Sequence, residues 1–438
     1  MCFPGEVAVQ VQERPVQSAP IAAPFGLAAG IAGFLGTDVP VRIECYDGSS
    51  LGPAAGGTRI VVRSPKALRY VVGAPGELGF ARAYVAGEID LEGDIFEALK
   101  LRDNLPDVKV TPREWWTLAR IAGTDALRPL PAPPEEVRVH GRRHTKKRDA
   151  AVIAHHYDVS NDFYRMVLGP SMTYSCAVFA TARTSLEDAQ AAKYELVSRK
   201  LELKPGMRLL DIGCGWGGMA MHAAREHGVH AVGVTLSARQ AEWAREAVRR
   251  ERLDDRVEIR IQDYRDVRDA PFDAISSIGM FEHVGAARLD EYFTDCFALL
   301  RPGGRLLNHG IARRPGRAAF SNRSFIDRYV FPDGELHEVG TVVSRIQKAN
   351  FEVRNVEGLR EHYGQTLRHW VANLEANWDD AVRLVGPGRA RVWRLYMAAS
   401  AINFEGARTQ IHQVLAVRNH ADGRSDMPRR PDWEPARS

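Results

Sequence analysis

Between residues 185 and 310 the apolar and polar positions follow two alternating periods. Short, largely apolar runs at 208–212, 230–234, 272–278 and 305–308, and an alternating one at 257–261, are bounded by polar or glycine turns. Runs this short and this apolar read as strands buried on both faces. Helical stretches lie between them. One spans 185–201 with Ser185 as N-cap. Another, 219–227, keeps Ala220, Ala223 and Ala224 on one side. A third covers 238–250, and a fourth runs to Leu300 before a turn at Pro302-Gly303-Gly304. This alternation predicts an α/β domain with a doubly wound, Rossmann-like parallel sheet and ligands at the strand C-termini.

The upstream part has a different pattern. Residues 1–19, interrupted by Pro4 and Pro15, read as disordered. Residues 22–35 are small and apolar and read as a helix, either packed into the first domain or touching a membrane surface. Alternation at 39–51 and 58–63, with a turn at Tyr46-Asp47-Gly48, predicts strands. A helix starts within 67–72. A glycine-broken helix and a short acidic strand follow in 76–94. Together these predict a small α+β domain over 20–126.

Residues 127–149 read as a linker. Pro129, Pro131, Pro133 and Pro134 favour an extended chain. Arg138, Arg142, Arg143, Lys146, Lys147 and Arg148 then follow without an acid. That run is either solvated linker or a contact for anionic phospholipid headgroups. Nucleic acid is the weaker reading, since no aromatic residues are interleaved for stacking. The second domain is placed at 150–420. The Pro- and Arg-rich stretch 421–438 is predicted to be a disordered tail.

Composition adds limits. A chain of 438 residues holds more than one average domain. Hydrophobic residues at 45% and charged residues at 26% suit a soluble globular protein, and a net charge of +4 is too small to imply nucleic acid. Cys2, Cys45, Cys176, Cys214 and Cys296 form no CxxC pair. That argues against a zinc site or a disulfide framework and suits a reducing cytoplasm, with no metal expected. No apolar stretch reaches the length of a membrane span. Residues 20–37 come nearest but contain Pro24, Gly26, Gly30, Gly33 and Gly36, and the mixed charges before them do not suit a secretory signal.

The candidate chemistry starts at Leu210-Asp211-Ile212-Gly213-Cys214-Gly215-Trp216-Gly217-Gly218. Glycine is needed where a ligand lies against the turning backbone. No lysine followed by Ser or Thr is present, so this is not a P-loop. Gly213, Gly215 and Gly217, with Asp211 just before them, resemble the first motif of class I S-adenosylmethionine (SAM) methyltransferases. The plain alternative is a βα turn that needs glycine for packing alone. Where many such enzymes end the second strand in an acid for the ribose, this chain has Val234-Thr235-Leu236-Ser237, with Gln240 one turn on. Asp263, after the third strand, is either an acceptor for the adenine amine or a turn-capping residue. Glu282, after the fourth, is either functional or half of an ion pair with His283. His309 follows the fifth strand; a histidine there is more often structural, but convergence with Glu282 favours function. Cys176 reads by itself as a buried small hydrophobe.

With these residues in hand, the second domain resembles the cyclopropane-fatty-acid synthase family, including the mycolic acid cyclopropane synthases. The matches include His156-Tyr157-Asp158-Val159-Ser160-Asn161-Asp162-Phe163-Tyr164, Ser171-Met172-Thr173-Tyr174-Ser175-Cys176, the glycine motif, Met280-Phe281-Glu282-His283-Val284-Gly285 and Phe331-Pro332-Asp333-Gly334. Tyr363 and 410–417 continue them, so that about 151–417 are covered. The upstream domain is similar to that of the phospholipid-acting members.

The resemblance implies methylene transfer from SAM to the cis double bond of a phospholipid acyl chain, through a carbocation deprotonated by a bound bicarbonate. It implies Cys176, Glu282, His309, the backbone of Ile311, and Tyr363 at the reacting centre. It implies Tyr174, Ser175, Gly213, Gly215, Gly217, Thr235, Gln240, Tyr264 and Ile278 on SAM. It also implies an enzyme of the cytoplasm, peripheral at the inner face of the membrane and in contact with its anionic surface; a homodimer is compatible with it. Many relatives carry a cysteine within 396–401, where this chain has Ser400. Three alternatives stay open: a methylene-branched product in place of a ring, a small-molecule SAM methyltransferase, and a lipid-binding protein on an inactive methyltransferase fold.

Overall fold

The structure is a computed structural model that describes residues 26–104, 128, 130–137, 148, 160–269, 271–316 and 324–433. The tail expected at 1–19, the His156–Val159 part of the family match and the basic run other than Arg148 lie outside the described residues. The chain divides into two compact units: the described residues of Met1–Arg69 with Glu88–Arg128, and those of Tyr70–Gly87 with Pro129–Ser438.

The first unit contains strands β1 (Arg42–Cys45), β2 (Ser50–Leu51), β3 (Arg59–Val62) and β4 (Ile89–Glu92) in the order β2-β1-β3-β4. The alternation seen in the sequence divides the faces. Ile43, Cys45, Ile60, Val62, Ile89 and Leu91 are buried. Arg59 pairs with Glu44 and Glu92, and Arg63 with Asp90. The helix Leu27–Leu35 starts on the β1–β2 turn: the Leu27 amide donates to Asp47 Oδ2 at 2.7 Å and the Ala28 amide to Ser49 Oγ at 2.9 Å. Its N-terminal end is therefore packed into the unit.

In the second unit β5 (Arg208–Ile212), β6 (His230–Thr235), β7 (Val257–Ile261), β8 (Phe272–Ile278), β9 (Leu300–Arg313), β10 (Glu352–Gly358) and β11 (Thr409–Val417) form a seven-stranded sheet ordered β10-β11-β9-β8-β5-β6-β7. β5 to β9 are parallel, as the alternation predicts. β11 runs antiparallel between β9 and β10, which the sequence reading did not foresee. The turn expected at Pro302-Gly303-Gly304 is absorbed into β9 as an irregularity: Phe272 pairs with Leu300, and Ala274 already with Arg305. Helices Leu186–Leu201, Gly218–His227 and Ala238–Arg250 contribute to one buried cluster and Leu289–Leu299 with Val339–Lys348 to another, so the sheet is apolar on both sides.

Three expected boundaries move. Residues 70–87, assigned by sequence to the small domain, belong to the second unit. There Arg82 clasps Glu136 at 2.7 and 2.8 Å, and Arg391 lies over the Tyr84 ring. The linker is anchored to the second unit as well. The Val137 amide donates to Arg328 O at 2.8 Å, and Arg148 grips Asp333 with two hydrogen bonds. Residues 421–433 are packed rather than disordered: Met427 and Trp433 lie against the sheet's buried cluster, and Arg305 donates to Asp426 O. Their apolar side chains find a partner surface that local composition does not reveal.

Candidate active site

The strand C-termini open onto two adjoining cavities. The first is built on the turn after β5. The amides of Gly213 and Cys214 both donate to Val234 O at 3.0 Å, which ties that turn to β6. Gly213, Gly215 and Gly217 have φ of +74°, +56° and +83°, a region that β-carbons disfavour. A Cβ on Gly215 would meet nothing within 4 Å, so that backbone faces open space, as a cofactor cradle requires. Gly217 is different. It does not line the cavity, and its Cβ would sit 3.3 Å from Ala244 Cβ. Its place among the cofactor residues is corrected: it serves the turn and the packing against Ala238–Arg250.

The other residues expected on the cofactor all line this cavity: Tyr174, Ser175, Asp211, Gly213, Gly215, Thr235, Leu236, Gln240, Asp263, Tyr264 and Ile278. Thr235 donates to Gln240 Oε1 at 2.8 Å, which presents a neutral polar pair where an acid is common. Asp263 takes the turn-capping reading and also lies in the cavity wall. It accepts from the Arg265 amide at 2.9 Å and holds the Arg265 guanidinium.

Sequence reasoning missed Lys193. Its Nζ is fully buried, donates to Ser175 Oγ at 3.0 Å and lies 3.6 Å from the centre of the Tyr194 ring. Burial pulls its pKa down and pushes that of Asp211 up, although each charge favours the other. A lysine in a helix otherwise read as amphipathic gives no sign that it points inward.

The second cavity is lined by Cys176, Glu282, His309, Ile311 and Tyr363, the five residues expected at the reacting centre, and by Ser400. Its remaining wall is largely apolar, with Leu336, Leu367, Phe404 and Ile411. Tyr174, Ser175, Gly279 and His283 line both cavities. Ile311 does not offer its amide to the cavity: that N–H donates to Glu282 Oε1 at 2.7 Å and so positions the carboxylate. Glu282 Oε2 is buried without a hydrogen-bond partner, and burial pushes the carboxyl up to about 7. His309 is fully buried, and desolvation holds its ring neutral; Nε2 has no partner, while Nδ1 meets Gln413 at 3.1 Å. The Cys176 thiol is pushed up by burial and directed at Ala177 O, so it is not poised as a thiolate. Tyr363 packs on Phe404 with ring centres 4.6 Å apart.

Two unpartnered buried polar atoms, Glu282 Oε2 and His309 Nε2, thus face one apolar space. Away from both cavities, Glu195 accepts from His227 at 2.9 Å and meets His222 at 3.4 Å, the one group of metal-ligand type among the described residues.

A family model described as Mycolic acid cyclopropane synthetase matches residues 144–414. The chain is 47% identical over 407 residues to "Probable fatty acid methyltransferase Rv3720" of Mycobacterium tuberculosis, covering 90% of this chain and 95% of the relative. It is 35% identical over 365 residues to the cyclopropane-fatty-acyl-phospholipid synthase of Escherichia coli K12, covering 83% and 89%. Among solved structures, mycolic acid cyclopropane synthase CmaA1 complexed with SAH and CTAB aligns with a TM-score of 0.58 at 33% identity, over 61% of this chain and 97% of that one. The chain is therefore a SAM-dependent methyltransferase. The chain belongs to the mycolic acid cyclopropane synthetase family, together with the cyclopropane-fatty-acyl-phospholipid synthases.

Proposed function

We propose that this enzyme adds a methylene unit to the cis double bond of an unsaturated phospholipid acyl chain, closing a cyclopropane ring, with bicarbonate as the base. The observation that carries this reading is the pair of unpartnered buried atoms, Glu282 Oε2 and His309 Nε2, in an otherwise apolar cavity. SAM supplies an electrophilic methyl: the alkene forms a bond to it as the carbon–sulfur bond breaks, leaving a carbocation on the chain. Bicarbonate supplies a weak base that accepts one proton from the added methyl as the ring closes. The protein's part is to exclude water, which would capture the cation, and to hold the anion. Leu336, Leu367, Phe404 and Ile411 do the first. An acceptor at Glu282 and a donor at His309 do the second.

The test is dependence on bicarbonate. Activity is expected to fall when dissolved carbon dioxide is purged and to return when bicarbonate is added. Tyr363→Phe is expected to raise the half-maximal bicarbonate concentration by about 10-fold or more, as for one hydrogen bond to a charged group. Full activity in bicarbonate-free buffer would make a side chain the base, with Glu282 the first candidate.

A second reading is a methylene-branched chain with a shifted double bond; the 47%-identical relative is named a probable fatty acid methyltransferase, which fits either product. The two products are isomers, which NMR or gas chromatography of the lipids separates.

The proposed lipid surface has its own test. Among the described residues no helix is long and apolar enough to cross a membrane. Arg148 is committed to Asp333, so Arg142, Arg143, Lys146 and Lys147 carry the proposed contact. Neutralising these four is expected to weaken binding to anionic vesicles at low salt. Unchanged binding would make the run a solvated linker.

A further inference from the structure

We propose that Lys200 and Gln413 are positioning residues that hold the proton of His309 on Nε2, so that the ring enters the acyl cavity as a hydrogen-bond donor. His309, Gln413 and Glu357 stand side by side on three adjacent strands: Gln413 on β11 pairs in register with His309 on β9 and with Glu357 on β10. Lys200, on the helix Leu186–Leu201, reaches this row with a fully buried ammonium. It donates to the Glu357 carboxylate and, at 2.7 Å, to Gln413 Oε1. Trp433 lies over it, with the ring centre 5.6 Å from Nζ.

A charged lysine donates and accepts nothing, which decides the orientation of the glutamine amide. Its oxygen faces Lys200. Its nitrogen is then the atom 3.1 Å from His309 Nδ1, and that nitrogen only donates. His309 Nδ1 must accept. Desolvation first, and then the cations of Lys193 and Lys200, keep the ring neutral. A neutral imidazole that accepts at Nδ1 carries its proton at Nε2. That atom is buried, unpartnered, and belongs to a residue lining the acyl cavity.

Two consequences follow. A donor in that place suits an anion. And the ring cannot be the base: Nε2 already has its proton, and Nδ1 is covered by Gln413. The consequence for the reaction rests on the bicarbonate reading above; the tautomer does not.

The experiment is nitrogen-15 NMR of the full chain with labelled histidine, His309 being assigned by its loss in His309→Gln. Nε2 is expected to show the protonated signature and Nδ1 the unprotonated one. The reverse pattern overturns the proposal. Lys200→Met frees the amide to turn. His309 is then expected to move toward the Nδ1–H form, and the half-maximal bicarbonate concentration to rise about 10-fold, the low end for a hydrogen bond to a charged group, with SAM affinity unchanged. Gln413→Glu should reverse the tautomer while still accepting from Lys200, which covers the case in which Lys200→Met does not fold. An unchanged tautomer in a folded variant of either kind overturns the proposal. Bicarbonate-independent activity with the Nε2–H signature intact overturns the reading of the anion and supports the tautomer.

Discussion

Glu282→Gln is expected to lower turnover by at least ~100-fold while leaving SAM affinity unchanged, within the range for losing acid–base assistance. Of the two cavities Glu282 lines only the second, and its Oε1 is held by the Ile311 amide, which leaves Oε2 for whatever binds there. Glutamine has nearly the same shape, so the loss reads the charge and the acceptor rather than the packing. A parallel loss of SAM binding in calorimetry would instead place Glu282 on the cofactor.

The same residue sets a pH dependence. Burial raises its carboxyl from 4.5 to about 7. The accepting carboxylate therefore forms as pH rises through about 7, and the rate is expected to fall below that point. Stability moves the other way. Between pH 4.5 and about 7 the folded chain keeps a proton that the unfolded chain has lost, so stability falls as pH rises across that window. Glu282→Gln removes the titration, and in thermal melts at pH 8 it is expected to be more stable than the parent. A lower melting temperature there would mean that the ionised carboxylate is well satisfied in the fold.

Gly215→Val is expected to abolish SAM binding, an effect of at least ~100-fold given a β-branched residue in a left-handed conformation that costs on the order of 1–3 kcal/mol by itself. At φ +56° the backbone suits glycine, and the added Cβ would project into open cavity that a ligand must fill. Circular dichroism checks that the variant folds, and calorimetry reads the binding. Parental affinity in a folded Gly215→Val protein would show that the turn does not face the cofactor. The contrast with Gly217 is informative, since spacing alone treats the two alike. Side chains of Ala244, Ile259 and Met221, 3.3, 3.5 and 3.8 Å from where a Cβ on Gly217 would lie, separate a packing glycine from one that faces open space.

How far the chain can be read residue by residue depends on how local the information is. β5, β6 and β8 were legible because a strand buried on both faces is largely apolar, β7 because its apolar and charged residues alternate, and Ser185 marked the start of the helix Leu186–Leu201 because a cap acts within one turn. The glycine spacing and the carboxylate after β8 were legible for the same reason: each sits at a fixed offset from a strand end. The family resemblance carried Tyr363 and Ile311 to the second cavity, but not the fact that the Ile311 amide is spent on Glu282. Register, pairing and enclosure are set where distant segments meet. β11 enters the sheet antiparallel, 96 positions after β9 at the register pair Thr409 and Arg313 and later in the chain than β10, because its buried row fits between them. Residues 70–87 join the second unit because Arg82 finds Glu136 there. Lys193 and Lys200 read as ordinary polar positions of a surface helix, and folding buries both ammonium groups. Periodicity states which face of an element leaves water; it does not state which partner waits on the other side, and for a buried charge that partner decides whether the residue is structural, catalytic or positioning.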